Sequence, residues 1–223
     1  LGLILSLPVT TRQGINYHVT TQRIPLSLKL LAFLHRHEEY RHLANTLVGR
    51  LPDRDAKIMA LFDWTREHIR PYPKGYPIVD DHVWNTIVRG YGTPDQTADV
   101  FATLCVTAGI PAHFEFVTIP GTKKGLGIAF ARLSGGGFGI FDPAHGVAVR
   151  HPDGRLATVE EVRAEPSIVE RAAPGLEWSG APYARYFEQL PDLSRKQFSK
   201  TTEQVPLLRV WEMVRNVIRC RER

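Results

Sequence analysis

Thiols, imidazoles and carboxylates are the side chains here whose placement could support chemistry, so their spacing comes first. A cysteine becomes a strong nucleophile when a helix end or a nearby imidazole holds it as thiolate. The chain has two, Cys105 and Cys220. Cys105 shares helical spacing with Ala98, Phe101 and Ala102, an apolar company that reads as an inert core thiol. Asp142 and His145 lie three residues apart and are types that exchange a proton. Before Pro143, Asp142 reads as a residue of a strand-ending turn in preference to the leftover of a catalytic triad, and His145 as a surface-loop residue in preference to one that approaches such a site. Thr93 and Thr97 carry hydroxyls, but a threonine nucleophile needs a base beside it. Thr93 has a simpler use as a helix N-cap. His35, Glu38 and His42 share one helix face, yet their spacing is not His-Glu-x-x-His. They read as a solvated polar face, and no metal is expected.

Two glycine-rich stretches are also set aside. Gly121-Thr-Lys-Lys-Gly125 lacks the Gly-Lys-Ser/Thr ending of a phosphate loop, and Gly135-Gly-Gly137 is a turn rather than a dinucleotide fingerprint. No cofactor is expected. Two cysteines allow at most one disulfide and no cysteine-based zinc site.

The elements that must position these residues follow from periodicity. Residues 1–24 read as one or two strands, and 24–51 as a helix with leucines recurring near helical spacing. Pro52-Asp53 ends it, and a second helix is expected over 55–69. Pro71 to Pro77 forms a loop, and a short helical piece spans 82–88. Thr93-Pro94-Asp95-Gln96 is a helix start: a threonine cap, proline at the first helical position and glutamine three after the cap. That helix runs to Ala108, and Gly109 stops it. Strands are expected at 112–119, 127–133, 138–141 and 147–150, joined by short connections, which makes an antiparallel sheet. The fold class is therefore α+β, helices packed on an antiparallel sheet with helical flanks. Beyond 157 the pattern is helical and punctuated by prolines, ending in an amphipathic stretch at 205–221. The expected organisation is an N-terminal flank (1–50), a core (51–158) and a C-terminal extension packing on it (159–223).

Composition narrows the function classes. The chain has 223 residues, 43% hydrophobic and 23% charged, enough for a sizeable core. No apolar run approaches the ~20 residues that span a bilayer, and Leu1 to Leu7 is too short and lacks a basic stretch before it. The compartment stays open. The net charge is +5. Residues 195–223 hold eight Lys/Arg against three Glu, and the remainder is twenty against twenty. A neutral body with a basic end is not a nucleic-acid-binding composition, so no nucleic acid partner is expected.

The central segment resembles a transglutaminase-like domain of the papain-related superfamily. The resemblance rests on the helix Ala60-Leu-Phe-Asp-Trp-Thr-Arg-Glu-His-Ile-Arg70, on Gly90-Tyr-Gly-Thr-Pro-Asp-Gln-Thr-Ala98, on Gly109-Ile-Pro-Ala112, on Ile128-Ala-Phe130 and on Phe141-Asp-Pro143. It implies a papain-like core over about 51–149. It also implies a cysteine at the start of the 94–108 helix, a histidine on the following strand and an orienting aspartate. Here the cysteine position is Pro94 and the histidine position is Ile128, and only Asp142 keeps its type. Proline has no nucleophilic atom and isoleucine accepts no proton, so the expected chemistry is absent.

The expectation is therefore a pseudoenzyme that binds a protein or peptide partner. Its candidate groove lies between the 94–108 helix and the strands and includes Trp84, Tyr91, Thr93, Asp95, Phe130, Asp142 and His145. One alternative is an acyl-transfer or hydrolytic enzyme of another type, working near Thr97, Asp142 and His145. The other is a structural subunit of a larger assembly. Contact of the C-terminal helix with a membrane surface is a lesser possibility, and the oligomeric state is left open.

Overall fold

The computed structural model describes residues 5–15, 18–78 and 82–191, with positions 193, 205 and 207; of 11–20 only the backbone is considered. The amphipathic stretch expected at 205–221 and Cys220 fall outside the described residues, apart from Val205 and Leu207.

The chain opens with an antiparallel hairpin, β1 (Pro8–Ile15) and β2 (His18–Pro25), paired from Pro8–Pro25 to Ile15–His18. It runs into α1 (Leu26–Val48). Next comes α2 (Arg54–His68), whose N-cap Asp53 accepts the Ala56 N–H at 2.8 Å. Two-residue strands β3 (Arg70–Pro71) and β4 (Tyr91–Gly92) pair in parallel on either side of α3 (Val83–Arg89). The following helix, α4 (Pro94–Thr107), starts where the sequence predicts. Pro94 occupies the first helical position, where its missing N–H costs nothing. Thr93 and Gln96 form the capping box, with Gln96 Oε1 accepting the Thr93 N–H at 3.2 Å. Gly109, at φ +79°, lets the chain leave the helix in the left-handed region.

The main sheet has the order β5-β6-β7-β8, all antiparallel: β5 (Ala112–Thr118), β6 (Gly125–Arg132), β7 (Phe138–Asp142) and β8 (Val147–Ala148). Alternation along the strands gives it two apolar faces. Ala112, Ala129, Ala131, Leu133 and Phe141 pack with α1, α2 and α4. On that side Phe101 meets Phe62 edge-on at 6.1 Å and Phe141 at 5.2 Å. Val117, Leu126, Ile128, Phe130 and Ile140 belong to a second cluster, shared with the C-terminal segment.

That segment comprises α5 (Val159–Ala164), α6 (Ser167–Ala172), a small ribbon of β9 (Glu177–Trp178) with β10 (Ala181–Pro182), and a 3-10 turn over Tyr183–Phe187. Val159, Val162, Ile168, Tyr186 and Phe187 are all buried against the sheet. Fully burying a side chain of this size contributes about 1.5–3 kcal/mol. The molecule is thus layered: helices, four-stranded sheet, irregular C-terminal cover. α+β, as expected, describes it.

Candidate functional site

Asp142 ends β7 and is almost completely buried, 1% exposed. A buried carboxyl group needs partners, and three donors supply them. With its proton on Nδ1, His145 donates to Oδ2 at 2.7 Å, and the His145 backbone N–H reaches Oδ1 at 3.1 Å. The Tyr183 hydroxyl donates to the same Oδ2 at 2.7 Å. Burial, and then the adjacent Asp142, push the Tyr183 hydroxyl well above the usual phenol range. Trp178 completes the cluster. Its ring meets the His145 ring edge-on at 4.9 Å, and its Nε1 donates to the Gly125 carbonyl at 3.2 Å.

This corrects two expectations. Asp142 is not merely a turn residue, and the side chain of His145 is only 17% exposed rather than a free loop imidazole. The tight Pro143-Ala-His-Gly146 turn folds the imidazole back onto the carboxylate that precedes it, closed by the Gly146 N–H on the Pro143 carbonyl. Sequence reasoning missed Tyr183 and Trp178. They arrive from a proline-broken stretch some forty residues on, with no spacing that ties them to Asp142.

The positions matched to the family's cysteine and histidine are built for packing. Continuing the β6–β7 ladder one step past Ala129–Phe141 sets Ile128 opposite Asp142. The Ile128 side chain is fully buried among Leu126, Phe130 and Ile140, turned toward the C-terminal cover. Around Pro94, Arg89 fastens the helix start. Its guanidinium donates to Gln96 Oε1 at 2.9 Å, Thr86 Oγ1 at 3.2 Å and the Tyr91 carbonyl at 2.9 Å, and lies 5.7 and 5.6 Å from the centroids of the Tyr72 and Tyr91 rings.

Other candidate residues separate into exposed and filled positions. Tyr91, Thr93 and Asp95 are half-buried at the start of α4, and Trp84 packs edge-on against Tyr40 at 5.4 Å. Phe130 is fully buried, so it lines no groove. Where α4 begins, the helix runs close against β6. A Cβ added at Gly127 would lie 2.7 Å from the Asp95 Cα, because helix and strand meet there backbone to backbone. Thr97 Oγ1 donates to the Thr93 carbonyl at 3.1 Å and is 2% exposed, which removes it as a nucleophile. Cys105 is fully buried, and burial pushes its thiol well above the ordinary range. Eleven residues after Pro94, it also lies about 16 Å further along the helix axis.

His113 stacks on Phe130 at 5.4 Å and meets Phe138 at the same distance, a packing position. His35 pairs with Glu39 at 3.4 Å and Glu38 with Arg41 at 3.1 Å, all on an exposed helix face. Among the described residues, no three His, Cys, Asp or Glu side chains are grouped to hold a metal ion.

Residues 41–154, just over half of the chain, match the profile described as Transglutaminase-like superfamily. The chain belongs to this superfamily. Looser likenesses appear among solved structures. A proposed cysteine protease from Cytophaga hutchinsonii aligns with TM-score 0.41 and 19% identity, over 58% of this chain and 45% of that one. A proposed protease from Parabacteroides distasonis aligns with TM-score 0.38 and 14% identity, over 61% and 36%. The chain therefore corresponds to less than half the length of either. No curated protein matches. The superfamily assignment rests on the profile match together with the helix–sheet order around Asp142.

Proposed function

We propose that this transglutaminase-like domain is non-catalytic and works as a protein- or peptide-binding module. The observation that carries the reading is the pair Pro94 and Ile128. One begins α4 inside a complete capping box, and the other is locked in an apolar cluster across from Asp142. Acyl transfer on this fold needs a nucleophile at the helix start with a base in reach of it. The proline ring offers no such atom, Thr97 has committed its hydroxyl to the backbone, and the Cys105 thiol is sealed in the core. The half-exposed rim of Tyr91, Thr93 and Asp95, flanked by Trp84, is the part of the inherited site left for a partner to touch.

A second reading has one specific observation behind it. The 2.7 Å contact between His145 and Asp142 is the orienting half of a hydrolytic triad, with the imidazole supplied from a loop. Incubating the unaltered chain with peptide amides and a fluorescent primary amine separates the two. Non-catalytic binding predicts neither hydrolysis nor amine incorporation above a buffer control. Turnover that disappears in His145→Ala would overturn it in favour of the second reading.

A further inference from the structure

One edge of the main sheet is β5 and the other is β8. β8 is only two residues long, and so short an edge offers little backbone to pair with. β5 has seven residues in unbroken register with β6, from Ala112–Ala131 to Thr118–Gly125. Just outside the strand, the Arg132 N–H donates to the Pro111 carbonyl at 2.9 Å and the Ile119 N–H to the Lys124 carbonyl at 3.3 Å. Backbone groups alternate sides along an antiparallel strand, so the odd-numbered residues of β5 face β6. The N–H and C=O of Phe114, Phe116 and Thr118 therefore face outward, and among the described residues nothing pairs with them. No proline, lysine or bulge interrupts 112–118, although these are the usual protections of a bare edge. Phe116 is 56% exposed, with its ring 6.3 Å from that of Phe114.

Self-complementarity identifies the occupant. Antiparallel pairing of β5 with itself, across a two-fold axis at Phe116, sets Phe116 opposite Phe116 and Phe114 opposite Thr118. Every outward N–H and C=O of the three residues is then paired. Glu115, the one Asp, Glu, Lys or Arg of the strand, falls opposite Val117 of the second copy. Moving the axis one residue, to Glu115, would set the two carboxylates face to face. Beyond Thr118, the turn into β6 carries Lys123 and Lys124, both exposed. In this register that turn extends past the start of the second copy's β5, which four residues, 108–111, link to the end of α4. The last turn of α4 has no basic residue of its own, and lysines complement the partial negative charge of a helix C-terminus. An unrelated extended peptide would satisfy the backbone but leave the lysines without that end. We propose that β5 pairs with β5 of a second copy, joining the two sheets into one continuous antiparallel sheet. Strand pairing of this length is a small interface, so the dimer is transient, with a dissociation constant on the order of micromolar or weaker. The inference stands apart from the reading of the Asp142 site and survives its failure.

Sedimentation equilibrium of the chain over a series reaching near-millimolar concentration tests it, and a monomer–dimer equilibrium is expected. Phe116→Lys, a surface change that sets like charges together at the axis, raises the dissociation constant more than tenfold. Thr118→Pro removes an outward N–H and spares the β6 ladder, the setting in which an edge strand accepts proline; it raises the constant about tenfold. Circular dichroism and the urea midpoint stay unchanged in Phe116→Lys. Register is read by cysteine cross-linking in a Cys220→Ser background. Oxidised Phe116→Cys forms a disulfide-linked dimer, because a hydrogen-bonded pair sets its Cα atoms about 5.5 Å apart. Thr118→Cys, about 14 Å from its counterpart, does not. The proposal is overturned if the chain stays monomeric throughout the series, which would leave the edge to an unrelated peptide. It is also overturned if a dimer persists unchanged in Phe116→Lys, or if Thr118→Cys cross-links as readily as Phe116→Cys.

Discussion

At the scale of single residues, the buried carboxyl group of Asp142 carries the most information. Its oxygens are satisfied by one loop, through His145, and by one distant tyrosine, so the group fastens the C-terminal cover to the end of β7. Removing one donor leaves the acceptor partly served, a loss of about 1–2 kcal/mol. Tyr183→Phe is therefore expected to lower the unfolding free energy by that amount with the fold intact, read as a lower urea midpoint at unchanged slope in denaturation followed by tryptophan fluorescence. A second carboxylate makes a pH prediction. The Arg155 guanidinium, 2.8 Å away, and then the Thr158 N–H hold Glu161 down to about 2. Its folded-state pKa is depressed, so its contribution to stability is present above the ordinary glutamate pKa near 4.5 and fades as pH falls toward 2. Glu161 is partly exposed and its pair is screened, so the effect is small. Urea midpoints measured from pH 6 to pH 2.5 should fall more steeply in the unaltered chain than in Glu161→Gln, the gap between the two curves being constant above about pH 4.5 and closing below it. Parallel curves would contradict this.

Among the elements, α4 and β6 decide what the inherited site has become. The start of α4 is legible from four residues, because capping and the preference of proline for the first helical position are local effects. The strands were legible as well, to within a residue or two at most ends, because glycine turns and period-two alternation are local. What was not legible is the register between helix and sheet. Gly127 lies under the Asp95 backbone, and nothing in the neighbouring sequence announces that contact. Phe130 fails as a lining residue beside α4 because alternation turns it to the far face of the sheet. Gly127→Ala tests the junction directly. Its Cβ would meet the Asp95 Cα at 2.7 Å, so helix or strand must move. A loss of about 1–3 kcal/mol is expected, the usual cost of overpacking, measured as a lower melting temperature. An unchanged melting temperature would show that α4 does not rest on β6 as described.

Across the whole molecule, the sheet is sandwiched between helices that belong to the superfamily match and a C-terminal cover that lies beyond it. The helical side was readable because α2 and α4 bury residues at helical spacing. The cover was not, since its short elements and prolines leave no periodicity, and its partner residues Tyr183 and Trp178 are fixed only by tertiary contact. Each layer has consequences for chemistry. The cover fills the face that carries Ile128, and the helical layer encloses the thiol of Cys105. Our account of a domain without acyl-transfer chemistry, carried by Pro94 and Ile128, also requires that enclosure, because Cys105 is the one thiol among the described residues.

Mass-mapped alkylation of the native chain with a small thiol reagent at neutral pH tests it most directly. The account predicts that Cys105 remains unmodified in the folded protein and reacts only once urea has unfolded it. Rapid modification of Cys105 in the native state would mean an open, activated thiol on α4 and would contradict the account.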